Sequence, residues 1–155
     1  MRYRATLTLA VVLAMLAVMF PAAPAGARPS EDRLEKLARA KINALRARNG
    51  LRPLRVSKGL SRSAARYARY MLRTGYFGHL STIRAPRRYR SLGEIILLHR
   101  GRRGRPRIAV KYWARSSGHR YVMLSAKYRS IGVGKASGFF QGHNVTLWVA
   151  HVGRR

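Results

Sequence analysis

The sequence predicts an α+β fold, with helices packed on a central antiparallel sheet. Apolar residues recur at helical spacing through the first half of the chain and alternate as strands do in the last quarter. No internal repeat and no composition boundary separates the two regions, so helices first and strands last share one core.

Each element has its own signal. Leu34, Leu37, Ala38, Ile42 and Leu45 form one apolar stripe on a basic helix. Ser30 is its expected cap, Glu31 and Asp32 suit the positive end of its dipole, and Asn49-Gly50 stops it. Residues 51–54 read as an extended connection. Ser57 caps a second helix, which turns Leu60, Ala64, Tyr67, Ala68, Met71 and Leu72 inward and ends near Gly75. Tyr76-Phe77-Gly78-His79 leaves it as a loop. Residues 83–90 are irregular and arginine-rich. Residues 92–98 are an apolar segment, strand or short helix, carrying Glu94, and residues 100–107 are a low-complexity exposed loop. A third helix over 108–114 offers Ile108, Ala109, Tyr112 and Trp113 to the core. Ser116-Ser117-Gly118 stops it and caps a short fourth helix, the hydroxyls accepting from orphan amides. Residues 130–135 form a strand, 137–144 a turn and 145–152 the closing strand. Trp113 and Trp148 are core residues.

The first 27 residues have the pattern of a secretory signal peptide: a basic start at Arg2 and Arg4, an apolar run over 5–20, Pro21, and the small-residue cleavage signal Ala25-Gly26-Ala27. The alternative is an uncleaved anchor, for which the run is short, since a span needs about 20 residues. Cleavage leaves residues 28–155 as a single secreted domain with a core over about 34–153 and no later transmembrane span. The chain has no cysteine, so packing alone holds it, which points to bacterial export.

The charge balance is extreme. The sequence has 33 Lys+Arg against 4 Asp+Glu. Glu94 is the sole carboxylate side chain after Glu35. It neutralises a nearby arginine or it sits in a site, and its Ser-Leu-Gly-Glu setting favours the site. Two histidines are placed to meet it: His119 in the first turn of the fourth helix and His79 in the loop after the second. His99, His143 and His151 read as isolated surface or strand residues. Asn144-Val145-Thr146 is a glycosylation sequon with no meaning outside a eukaryotic secretory path.

The motifs run in a recognisable order: Asn43 and Arg46, Gly50-Leu51-Arg52-Pro53-Leu54, Phe77 and His79, Gly93-Glu94, Trp113 with Ser116 and Gly118-His119-Arg120, Ile131-Gly132-Val133-Gly134, and Trp148 in the closing strand. This order resembles the CAP superfamily (cysteine-rich secretory proteins, antigen 5, pathogenesis-related 1 proteins), or SCP domain, in its cysteine-free bacterial branch. The resemblance implies an α-β-α sandwich with a cleft lined by two histidines and two glutamates, where the histidines can hold a divalent metal such as zinc. His79 and His119 match those histidines and Glu94 one glutamate. Ile95 stands where the family usually has asparagine, and Ser116 where the second glutamate would be.

The expected function is a non-catalytic binding module. Its cleft residues are His79, Glu94, Ser116 and His119, with zinc held weakly by His79 and His119, or a small polar or lipid head group taken beside protonated histidines. One alternative is a structural clasp between Glu94 and a histidine. Another is a hydrolase of protease type, for which His79, Glu94 and His119 are the available catalytic residues. A third is a polyanion-binding surface with a vestigial cleft. Arg84, Arg87, Arg88, Arg90, Arg100, Arg102, Arg103, Arg105 and Arg107 lie in two loops flanking Glu94 in sequence, and suit extracellular anionic polymers, wall components or lipid head groups. Tyr89 is the one aromatic in these loops, so sequence-specific nucleic-acid reading is not expected.

Overall fold

The computed structural model describes residues 32–79, 82–85 and 89–155. They form α1 (Arg33–Ala47), β1 (Arg55–Val56), α2 (Lys58–Thr74), β2 (Ser91–Arg100), α3 (Pro106–Arg115), α4 (Ser117–Leu124), β3 (Ser130–Phe140) and β4 (His143–Arg154). The 1–27 leader, Ser30, Glu31, Ser81, Arg87 and Arg88 lie outside the described residues.

The strands form one sheet in the order β1-β3-β4-β2. β4 runs antiparallel to both of its neighbours. β1 departs from the antiparallel expectation: it pairs parallel to β3, because the Arg55 amide donates to the Arg129 carbonyl and the Ser57 amide to that of Ile131. The turn expected over 137–144 is much shorter. β3 continues to Phe140, which pairs with His143, and only Gln141 (φ 44°) and Gly142 (φ 84°) make the bend. Positive φ at both central residues gives the hairpin a twist matching that of its strands.

Strand alternation sends side chains to two cores. Ile95, Ile131, Val133, Trp148, Ala150 and Val152 meet Ala38, Ile42, Ala109, Trp113 and Met123 from α1, α3 and α4. Ile96, Val145, Leu147 and Val149 meet Ala64, Tyr67, Ala68 and Met71 from α2 on the opposite face. The result is the expected α-β-α sandwich. The Trp113 indole N–H donates to the Ile96 carbonyl (2.9 Å), fastening α3 to β2. Buried Arg46 donates to the carbonyls of Arg52, Met123 and Ser125, and Asn43 exchanges two bonds with the Leu54 backbone.

Several local expectations shift. Asp32, rather than Ser30, caps α1, accepting from the Leu34 amide in a capping box with Glu35. Ser57 and Gly75 bound α2 as expected. Ser116 occupies the cap position of α4, but its hydroxyl makes no capping bond. Leu37 and Tyr112 are exposed rather than in the core.

α2 lies flush on β3 through two glycines. A Cβ on Gly132 would sit 1.9 Å from the Ser61 amide nitrogen, and one on Gly134 2.2 Å from that of Ala65. Backbone cannot yield as a side-chain tip can, so a methyl at either position would lift the helix. Gly132→Ala is expected to cost about 3 kcal/mol in urea unfolding. Gly118→Ala, with nothing within 4 Å of its Cβ, should stay within about 0.5 kcal/mol of the parent.

Candidate functional site

β2 is an edge strand, so residues on it can be reached from both faces of the sheet. Glu94 projects there, its side chain only 5% exposed. In the β2–β4 register it stands opposite His151, and in the β3–β4 register His151 stands opposite Gly132. The helix lying on Gly132 therefore passes directly over His151 and brings Ser63 to it.

These placements produce a chain of hydrogen bonds. The Ser63 hydroxyl donates to the Arg84 carbonyl (2.7 Å). His151 Nδ1 lies 3.1 Å from Ser63 Oγ, and its Nε2 2.9 Å from Glu94 Oε2. Glu94 Oε1 lies 3.0 Å from His79 Nδ1. The directions follow from counting protons. Ser63 has one hydrogen, committed to Arg84, so its oxygen accepts from His151 Nδ1–H. One further proton must then lie between His151 Nε2 and Glu94 Oε2. Whether it sits on nitrogen or oxygen, the pair has no net charge, which makes burial tolerable. Oε1 remains an acceptor, so His79 donates from Nδ1 and its Nε2 is left as the ring's acceptor nitrogen.

The loop bearing His79 is secured at its start. The Tyr67 hydroxyl donates to the Gly78 carbonyl. Burial, reinforced by the Glu94 charge and then by Tyr76 and Tyr70, pushes the Tyr67 phenol up to about 12, so it stays a donor across the physiological range. From the other face, α4 brings His119, whose ring centroid is 5.8 Å from that of His79. Burial, and then the neighbouring His79, holds His119 below its ordinary value, which favours the neutral ring. Around these two rings opens a pocket of about 660 Å³, lined also by Thr82, Ile83, Leu92, Ser116 and Val122.

The four residues expected to share a site, His79, Glu94, Ser116 and His119, thus line one pocket. His151 does not fit its expectation as an isolated residue: it is fully buried and is the partner that neutralises Glu94. A signal was present, since a histidine inside the apolar run of the closing strand needs a buried partner, and one carboxylate was available. His99 takes the Trp148 indole N–H, and His143 is exposed at the hairpin.

The described arginines of the two loops do not gather at the pocket. No arginine is among the described lining residues. Arg100 ends β2, six residues beyond Glu94, or about 20 Å along an extended strand. Arg105 and Arg107 border a different groove with Leu34, Leu37 and Lys41. Arg84 and Arg90 are exposed, while Tyr89 is buried with its hydroxyl on Ser57 and offers no stacking face.

Ser63, His151 and Glu94 have the connectivity of a serine triad, but the direction is wrong. Ser63 is buried, its hydrogen points at Arg84, and His151 donates to it rather than accepting from it. Among the described residues no group of three or more His, Cys, Asp or Glu side chains is placed to hold a metal ion. Among the described residues, the two imidazoles of His79 and His119 are what the pocket offers an ion.

Residues 39–151 match the model of the cysteine-rich secretory protein family, CAP. Bacillus subtilis YkwD is 36% identical over 101 residues, which is 59% of this chain and 38% of YkwD, so the chain spans well under half of that relative. An outer surface protein of Borrelia burgdorferi superposes with a TM-score of 0.66 at 16% identity, over 82% of this chain and 96% of that one. An extracellular protein containing an SCP domain, from Bacillus anthracis, gives 0.63 at 20% identity, over 79% of this chain and 40% of that one. No helix among the described residues is long and apolar enough to cross a membrane.

Two outcomes are expected. His151→Leu removes a charge-assisted bond and leaves Glu94 buried without it, at about 2–3 kcal/mol in urea unfolding at pH 7, whereas Ser63→Ala should cost about 1 kcal/mol. His119 binds its proton less well folded than unfolded, so its contribution to stability is complete above pH 6.5 and is lost as the pH falls below that value. Urea midpoints measured from pH 8 to 5 should run parallel above pH 6.5 and below it fall more steeply in the parent than in His119→Phe; equal slopes throughout would mean that this residue is not the source.

Proposed function

This chain belongs to the cysteine-rich secretory protein (CAP) family, and from that membership we propose that it is an exported binding module whose pocket takes a small polar ligand through His79 and His119. One observation carries the reading: Glu94 engages His151 with one oxygen and His79 with the other, so the His79 ring is held with Nε2 free to accept beside the neutral-favouring His119. A carboxylate behind a histidine fixes its tautomer and ring orientation, which suits a ligand-holding imidazole. The residues fit a divalent ion such as zinc only weakly, with His79 and His119 as its two protein ligands. When bound, such an ion would supply positive charge to attract a ligand's oxygen. Lipid head groups and other small oxyanions fit the same pair when the rings are protonated.

Export is supported by the leader pattern at 1–27 and by the names of the neighbours, an outer surface protein and an extracellular SCP-domain protein. The exposed arginines at 100, 102, 103, 105 and 107 suit anionic lipid head groups outside the cell, an attraction that salt screens. Among the described residues hydrolysis has less support, because the Ser63 hydrogen points to the Arg84 carbonyl and not to His151, and the pocket's Ser116 has no described hydrogen bond to a base.

Calorimetric titration with zinc chloride should show weak saturable binding that falls at least tenfold in His79→Ala and His119→Ala, with the circular dichroism unchanged. Nitrogen-15 NMR of the parent should place the His79 hydrogen on Nδ1. Zinc binding and lipid-vesicle binding both indifferent to these substitutions would end the reading.

A further inference from the structure

α2 carries a feature that neither the pocket nor the arginine loops use. Its exposed residues include Lys58, Arg62, Arg66, Arg69 and Arg73. At 3.6 residues per turn these five fall within an arc of about 80°. The buried residues Leu60, Ala64, Tyr67, Ala68 and Met71 occupy the opposite side. The five cations therefore form a single file along the outermost line of the molecule. The file is about 22 Å long, with successive charges about 4.5–6 Å apart.

No ion pair among the described residues explains it. Like charges at i and i+4 destabilise a helix, and this helix has three such pairs, 58–62, 62–66 and 69–73. The described carboxylates are engaged elsewhere: Asp32 with Lys135, Glu35 with the Lys135 and Asp32 amides, Glu94 with two histidines. Arg66 reaches the Arg84 carbonyl at 3.4 Å, which neutralises no charge.

We propose that this ridge docks a linear phosphodiester polymer that has no bases, of the poly(glycerol phosphate) type. Three observations select that partner. The single file suits a chain of regularly spaced anions better than a plane of them. A helix that lies on a membrane keeps an exposed apolar face, but the apolar face of α2 is spent on the sheet through Gly132 and Gly134. No aromatic side chain falls within the arc to stack on bases. Tyr70 lies outside it with its ring stacked on that of Tyr67 at a centroid distance of 6.1 Å. The ridge is independent of the pocket and of its occupant.

The test removes equal charge from two places on the full chain. One variant carries Arg62→Gln, Arg66→Gln, Arg69→Gln and Arg73→Gln; the other carries Arg102→Gln, Arg103→Gln, Arg105→Gln and Arg107→Gln. Binding of a defined poly(glycerol phosphate) oligomer is measured from 50 to 200 mM salt. The probes for comparison are a single-stranded oligonucleotide of equal phosphate number and vesicles containing anionic lipid. The helix variant relieves repulsion, so its melting temperature should hold or rise. Its salt slope for poly(glycerol phosphate) should fall by about 3, since each contact on a flexible strand contributes about 0.7, and affinity at 50 mM should drop at least tenfold. The loop variant should change the slope by less than about 1. Equal losses in both variants mean that net charge alone binds the polymer and overturn the proposal. So does a helix variant that keeps the polymer but loses the oligonucleotide or the vesicles.

Discussion

A helix can rest directly on a sheet only where the strand beneath it has no side chains to hold it off. Gly132 and Gly134 provide that bare stretch, and α2 meets it backbone to backbone. The remaining geometry follows from the contact. Ser61 lies over Gly132 and Ala65 over Gly134, and from the flank of the same stretch of helix Ser63 meets His151. One turn on, Tyr67 reaches the Gly78 carbonyl and fixes where the chain leaves the helix, so that His79 arrives at Glu94. Packing tolerance at two glycines is thus converted into the position of an imidazole at the edge of the sheet.

The second constraint is electrostatic. A chain with 33 cationic and 4 acidic side chains has little to spend on neutralising a buried charge. Among the described residues, two histidines meet Glu94. A histidine inside the sheet shares a proton with one of its oxygens, and a histidine at the surface hydrogen-bonds the other. The arrangement makes Glu94 a connector between core and pocket. A proton count along the chain settles which nitrogen of His79 is bonded and which is presented. The same count explains why a serine, a histidine and a glutamate in line do not form an activated nucleophile here: the serine hydrogen goes to a backbone carbonyl, and the histidine donates to the serine instead of accepting from it.

The cationic side chains, numerous as they are, serve different places. Arg46 is buried and spent on carbonyls that join the end of α1 to the end of α4. The loop at 100–107 borders a groove beside α1, far along β2 from Glu94. The α2 residues form a ridge facing solvent. Net charge treats these as one quantity, while the fold distributes them over separate surfaces with separate electrostatic reach, since exposed charges more than about 8–10 Å apart are largely screened from one another.

Much of this could be read from the residues alone, because the signals are local. Helical spacing located α1 and α2, alternation located β3 and β4, and the ordered motifs brought His79, Glu94, Ser116 and His119 into one expected cleft. What the tertiary structure decided depends on partners far apart in sequence. His151 looked isolated because its significance lies in a strand register that sets it against Glu94, 57 positions earlier, beneath a helix that carries Ser63. β1 escaped notice because two residues have no periodicity and only β3 makes them a strand. The burial of Tyr89 and the separation of the described arginines have one cause: burial, and which end of a strand a loop occupies, are properties of the folded neighbourhood and not of the residues in order.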